Sequence, residues 1–176
     1  SATGPIMFGL DGMNQAAYAA GQPIPNIIGM AFSYSMTIAV LYPAFALAVL
    51  IFSKSNQLKT VGKISIAPAF FGISEPLMFG VPVVMNPFMA IPWIISPTVN
   101  VLLGWLACSS GLVARYAGVT VFNFPMGVTG ILNGSFTIAI LEVVVCIIDV
   151  LIFMPFVRIQ DKKYIDAEKA AETEQN

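Results

Sequence analysis

Apolar positions run along this chain in long blocks, and charged ones gather in a few short places. The stretches 12–53, 76–114 and 116–141 contain no Lys, Arg, Asp or Glu. A helix that crosses a bilayer needs roughly 20 apolar residues, and each stretch exceeds that. The pattern predicts an all-α polytopic membrane protein. Residues 29–52 form one predicted span, with Pro43 as an internal kink that neighbouring helices can tolerate. Residues 87–112 form a second, with Pro92, Pro97 and Gly104 as bends and Trp93 and Trp105 as interface anchors. Residues 135–157 form a third.

Between the spans the pattern breaks. Residues 1–28 hold Gly4-Pro5, Gly9, Gly12, Gly21, Pro23 and Pro25, which predicts a short broken helix and an extended turn. Residues 53–63 (SKSNQLKTVGK) read as a polar, basic loop. Residues 64–86 are apolar yet carry Pro68, Gly72, Pro76, Gly80 and Pro82 around Glu75. Irregular backbone at membrane depth survives only where protein or a water-filled cavity covers it, so this segment is expected to be a re-entrant, interrupted hairpin. Arg115 marks a loop, 116–133 is a second broken stretch, and 158–176 reads as a hydrophilic tail with a short, fraying helix.

Composition agrees with the pattern. The 176 residues are 57% hydrophobic and 10% charged, against about 25% charged in soluble domains. Nine of the seventeen charged residues lie from Arg158 onward. Lys54, Lys59 and Lys63 share one loop, and Arg158, Lys162 and Lys163 flank the last span. By the retention of basic loops on the inner side, loop and tail are expected in the cytoplasm and Arg115 outside. That needs two crossings and a hairpin returning to its own side. A net charge of −1 argues against a nucleic-acid partner. Cys108 and Cys146 lie in apolar stretches without metal or redox spacing and read as packing residues. The chain has no His, which removes a histidine base, metal ligand or phosphohistidine, and no cofactor is expected. No signal peptide is read at Ser1, and the chain is expected to be a segment of a longer protein.

Glu75 is the most informative candidate. An acid at mid-bilayer costs about 2.5–3.5 kcal/mol on insertion scales and commonly lines a substrate or ion path. The breakers in Phe71-Gly72-Ile73-Ser74-Glu75-Pro76 free backbone groups beside it, as in the unwound segments where transporters bind polar substrates. The alternative is a structural acid at a helix start. Glu142 and Asp149, seven residues apart, share a face of the last span. They read either as a polar seam buried against other helices or as an ion relay. Asp11 and Asn14 can point the same way toward sugar hydroxyls, or serve as caps and turns. Phe122 and Phe124 flank Asn123, either as a stacking face for a sugar ring or as an interfacial belt.

The run Gly72-Ile73-Ser74-Glu75-Pro76-Leu77-Met78-Phe79-Gly80-Val81-Pro82-Val83-Val84-Met85-Asn86-Pro87, followed by Ile91-Pro92-Trp93, closely resembles the signature of the lactose/cellobiose-type enzyme IIC permeases of bacterial phosphotransferase systems. The loop from Ser53 to Lys63 and the segment from Leu10 to Gly21 resemble family segments in the same order. The resemblance implies the C-terminal part of a homodimeric permease of roughly ten helices in the cell membrane. The dimer contact would lie in the upstream part. Such a permease binds a disaccharide or oligosaccharide and presents it to a cytoplasmic IIB protein, whose phosphocysteine phosphorylates the C6 hydroxyl. It also implies that Glu75 bonds that hydroxyl, that Ser74 lies beside it, and that Phe122 and Asn123 occupy the family's aromatic sugar contact. Gly72, Ser74 and Phe122 depart from the family's usual Asn, Asn and Trp. The family's sugar-site histidine lies upstream of this segment. An ion-coupled secondary transporter, using Glu75, Glu142 and Asp149, is the alternative.

Overall fold

A computed structural model describes residues 3–174 apart from 82, 84 and 85, so the ends of the predicted 1–28 and 158–176 segments and part of the 64–86 hairpin lie outside the described residues. The regular elements of the described chain are all helical: α1 (Thr3–Ala19), α2 (Met30–Tyr34), a π-helical turn (Ser35–Ala39), α3 (Val40–Phe52), α4 (Asn56–Phe70), α5 (Glu75–Gly80), α6 (Pro87–Ser109), α7 (Val128–Leu132) and α8 (Phe136–Glu174). Three helical runs, Met30–Phe52, Pro87–Ser109 and Phe136–Ala171, are long and apolar enough to cross a membrane. Each overlaps one of the three predicted spans, the third running on past its predicted end at 157.

The hairpin is built by α4 and α5. Ser55 caps α4, its Oγ accepting from the Leu58 amide at 3.1 Å. The 15 residues of α4 extend about 22 Å back along α3, where Gly62 lets the two backbones approach closely beside Leu50. The chain turns at 71–74 beside Tyr34 and Ile38 and returns through α5, whose Gly80 faces Val61 of α4. At the start of α6 the Asn86 amide donates to Gln160 of α8 at 2.9 Å. Asp161, the next residue of α8, accepts from the amides of Lys54 and Ser55 at the end of α3. The segment therefore enters and leaves at one end of the bundle.

Helix α8 packs its stripe Ile138, Glu142, Val145, Cys146, Asp149, Phe153 and Val157 inward. These spacings of three and four place one face of a 3.6-residue helix against its neighbours. Phe45, Trp93 and Phe153 form an aromatic cluster with centroids 4.8–5.8 Å apart. Trp93 is partly buried and packs against the core, whereas Trp105 is exposed. Both cysteines are buried and free.

Three local expectations are corrected. Residues 3–19 form an unbroken helix. Gly4 and Pro5 fall in its first turn, where backbone amides lack intrahelical partners anyway. Interior Gly9 and Gly12 cost only about 1 kcal/mol each relative to Ala, and Asp11 and Asn14 anchor the helix to distant backbone. The loop at 53–63 is largely the start of α4, leaving Ser53–Ser55 as the connection. The tail does not begin a separate short helix: α8 continues from the last span to Glu174. The continuation is held by its own acids, because Glu168 accepts from the Asn56 and Gln57 amides at 3.4 and 3.1 Å. Carboxylates at a helix N-terminus satisfy orphan amides and oppose the helix dipole favourably.

Candidate functional site at the hairpin turn

The tip of the hairpin meets two other segments at one hydroxyl. Gly72 takes φ +73, and a Cβ there would stand 2.8 Å from Tyr34 Oη. Glycine supplies both the left-handed backbone and the missing side chain. The same Tyr34 hydroxyl accepts the Asn123 amide at 2.8 Å, and the Tyr34 ring meets Phe122 edge-on at 5.1 Å. Asn123 itself sits at φ +59, a conformation that Asn tolerates better than most residues. Tyr34 is buried, and the π-helical turn begins at the next residue. Such turns recur at functional sites because they break the regular ladder and re-aim side chains.

Ser74 and Glu75 follow the turn directly. The Ser74 carbonyl accepts from the amides of Leu77 and Met78, which starts α5 with Pro76 in its first turn. Glu75 is exposed. Phe122 and Asn123 are exposed as well, and both lie against the buried Tyr34 that also meets Gly72, three residues before Glu75. A carboxylate binds hydroxyl donors, and an aromatic face packs on the apolar side of a sugar ring.

Asn14 does not join this group. Its amide is fully committed to backbone: Oδ1 accepts from Asn26 N at 3.0 Å, and Nδ2 donates to Asn26 O at 3.0 Å and Tyr116 O at 3.2 Å. It staples α1 to the 20–28 connection. Asp11 acts similarly, with Oδ2 accepting from Ala31 N at 2.9 Å and Thr120 Oγ1 at 2.6 Å.

A buried polar seam begins at the residue after Tyr34. Glu142 accepts from Ser35 Oγ at 2.5 Å, Gly127 N at 2.6 Å and Thr129 Oγ1 at 2.7 Å. Tyr116 Oη lies 2.9 Å from Ser35 Oγ; because that serine spends its proton on Glu142, the phenol is the donor. Asp149 accepts from Asn100 Nδ2 at 2.7 Å, and the same amide reaches Met36 O at 3.0 Å. Glu142 thus bonds the π-helical turn directly at Ser35, and Asp149 is linked to it at Met36 through Asn100.

The comparisons with known proteins agree with this architecture. The family model described as "Phosphotransferase system, EIIC" matches residues 2–97. The chain belongs to this family. Among EIIC relatives, the oligo-beta-mannoside-specific EIIC component of Bacillus subtilis (strain 168) is 37% identical over 94% of this chain and 39% of its own length. The cellobiose-specific EIIC component of Geobacillus stearothermophilus is 35% identical over 97% of this chain and 40% of its own. Among solved structures, the transporter ChbC, the IIC component of an N,N'-diacetylchitobiose-specific phosphotransferase system, superposes with a TM-score of 0.90. Its identity is 36%, covering 96% of this chain and 40% of that one. The chain therefore spans about two fifths of the EIIC relatives it matches.

Tyr34 is the residue that sequence reasoning missed. A lone phenol among Met30, Phe32 and Met36 reads as one more apolar position, and only the fold brings it to Gly72 and Asn123. Tyr34→Phe should leave the Asn123 amide without its acceptor, at a cost of about 1–3 kcal/mol. Sugar KM is expected to rise roughly five- to fifty-fold with protein levels unchanged. An unaltered KM would remove Tyr34 from the site.

Proposed function

We propose that the chain is the C-terminal part of a sugar permease, the IIC subunit of a phosphoenolpyruvate-dependent phosphotransferase system. Its substrate is a disaccharide or oligosaccharide of the cellobiose, chitobiose or lactose kind. One observation carries the reading: the deep turn bearing Ser74 and Glu75 meets the Phe122–Asn123 loop at the Tyr34 hydroxyl. Glu75 accepts the bond from the sugar's C6 hydroxyl and helps draw its proton. A separate IIB protein delivers the phosphoryl group from its phosphocysteine. Ser74 contributes at the turn, Phe122 stacks on the ring and Asn123 fixes that loop. Asn14, expected from sequence to touch sugar, acts by holding α1 in place. The upstream part of the protein completes the cavity and the homodimer contact.

The ion-coupled alternative draws less support. Glu142 already has three donors, and Asp149 is tied to Asn100. The deciding experiment follows labelled cellobiose or chitobiose into cells with and without the IIB gene. Sugar recovered as the 6-phosphate only when IIB is present supports the reading. Free sugar accumulating without IIB overturns it.

In the same reading, the end of the bundle holding Lys54 and the α8 extension faces the cytoplasm, where IIB acts. With Cys108 and Cys146 replaced, single cysteines at the exposed positions Gln57 and Ala170 should resist an impermeant thiol reagent in intact cells, while one at Ser110 should label. The reverse pattern would put the hairpin mouth on the wrong side for a phosphoryl donor.

A further inference from the structure

Where α3 ends and α8 leaves the bundle, a groove of about 550 Å³ opens that has no part in the sugar site. Its floor is apolar: Ile51, 60% exposed, lies beside Phe52 and, from α8, Ile165. Its rim is basic, with Lys54 from the connection and Arg158 and Lys162 one turn apart on α8. All three cations are exposed, and Arg158 rests over the Phe52 ring at 5.1 Å, which holds its guanidinium at the groove. The one carboxylate present, Asp161, has both oxygens engaged by the Lys54 and Ser55 amides. Ser53 also lines the groove. It is 3% exposed, and its hydroxyl has no hydrogen-bond partner among the described residues.

The groove also has a defined height. Phe52 is the last residue of the first span, so the apolar floor lies where the hydrocarbon ends and the basic rim where headgroups begin. Basic pockets between spanning helices at this level bind anionic headgroups. We propose that this groove binds an anionic glycerophospholipid. The phosphodiester is held by Arg158, Lys162 and Lys54, the Ser53 hydroxyl donates to a headgroup or ester oxygen, and an acyl chain covers Ile51 and Ile165. The charge pattern selects this occupant: three cations face one committed acid, beside an apolar surface that a water-soluble anion would leave bare. The inference is independent of the sugar reading.

The test uses the complete protein purified in neutral detergent. Its melting temperature is followed as phosphatidylglycerol, phosphatidylcholine or inorganic phosphate is added. Phosphatidylglycerol should raise it saturably, and the other two should not. Each basic residue near a charged surface contributes about 1 kcal/mol, so Arg158→Gln with Lys162→Gln should weaken the apparent affinity roughly thirtyfold, while Lys169→Gln leaves it unchanged. Should the double variant fail to purify, Lys162→Gln alone is expected to weaken it about fivefold. Equal protection by phosphatidylcholine overturns the proposal, as does equal protection by inorganic phosphate, which would indicate a plain anion site. No response to phosphatidylglycerol, or an undiminished one in the variants, also overturns it and leaves the groove to the upstream chain or to the IIB partner.

Discussion

Glu75→Gln should lower sugar phosphorylation at least a hundredfold while the protein still inserts and folds. The geometry makes the separation of function from stability clean. Glu75 is exposed at the first turn of α5, and that helix is started by the Ser74 carbonyl and Pro76, not by the carboxylate. Removing the charge therefore takes nothing from the fold. On the proposed function it takes from the substrate a charge-assisted hydrogen bond, about twice as strong as a neutral one. It also removes the only carboxylate at the turn able to accept a proton from the sugar hydroxyl, a role generally worth about 10²–10⁴-fold. The measurement is sugar 6-phosphate formed by membranes with excess phosphorylated IIB, beside a melting curve of the purified variant. Near-normal phosphorylation would return Glu75 to a structural acid. A lowered melting temperature would show that the carboxylate supports the hairpin.

The spans were legible in the sequence because crossing length is a one-dimensional property: 20-odd uncharged residues suffice, whatever they pack against. The hairpin turn was legible for a related reason, since Gly72 and Pro76 disturb backbone locally wherever the helix lies, although Pro68 stays inside α4. What escaped depended on partners far along the chain. The α1 helix looked too rich in glycine and proline to persist, but Asp11 reaches Ala31 and Thr120, and Asn14 reaches Asn26 and Tyr116. Asp161 and Glu168 looked like ordinary charges of a solvated tail, and their bonds to residues 54–57 lie more than a hundred positions away. At the candidate site, Glu75 stood out in the sequence because a charge in an apolar run is costly wherever it points. Tyr34 did not, because a phenol raises no such alarm. The same holds for Asn14, whose polarity was visible but whose direction was not.

Glu142 distinguishes scaffold from relay most sharply, through a series of replacements. Its carboxylate gathers three donors from three segments: Ser35 on the π-helical turn, Gly127 before α7, and Thr129 within it. Gly127 has φ +88, so that amide is aimed by a conformation few other residues would hold. Glu142→Ala would strand these donors at a fully buried position. At about 1–3 kcal/mol for each of the three unsatisfied groups, the loss should reach roughly 3–9 kcal/mol, enough to deplete the folded protein given ordinary stabilities of about 5–15 kcal/mol. Glu142→Gln should be far milder. Its carbonyl can keep the Gly127 amide, and the Ser35 and Thr129 hydroxyls can rotate to accept from its NH₂ group, so a loss of about 1–2 kcal/mol is expected from the weaker neutral bonds. Sugar phosphorylation per folded molecule should then stay within a few-fold of wild type for Gln, because Glu142 bonds Ser35, Gly127 and Thr129 and none of the proposed sugar contacts. A relay makes the opposite prediction, since Gln cannot carry a proton or balance a cation: both variants would be equally inactive while Gln stayed fully stable. Melting curves and phosphorylation rates on the same two preparations separate the cases, and inactivity of a stable Glu142→Gln protein would restore the ion-coupled reading.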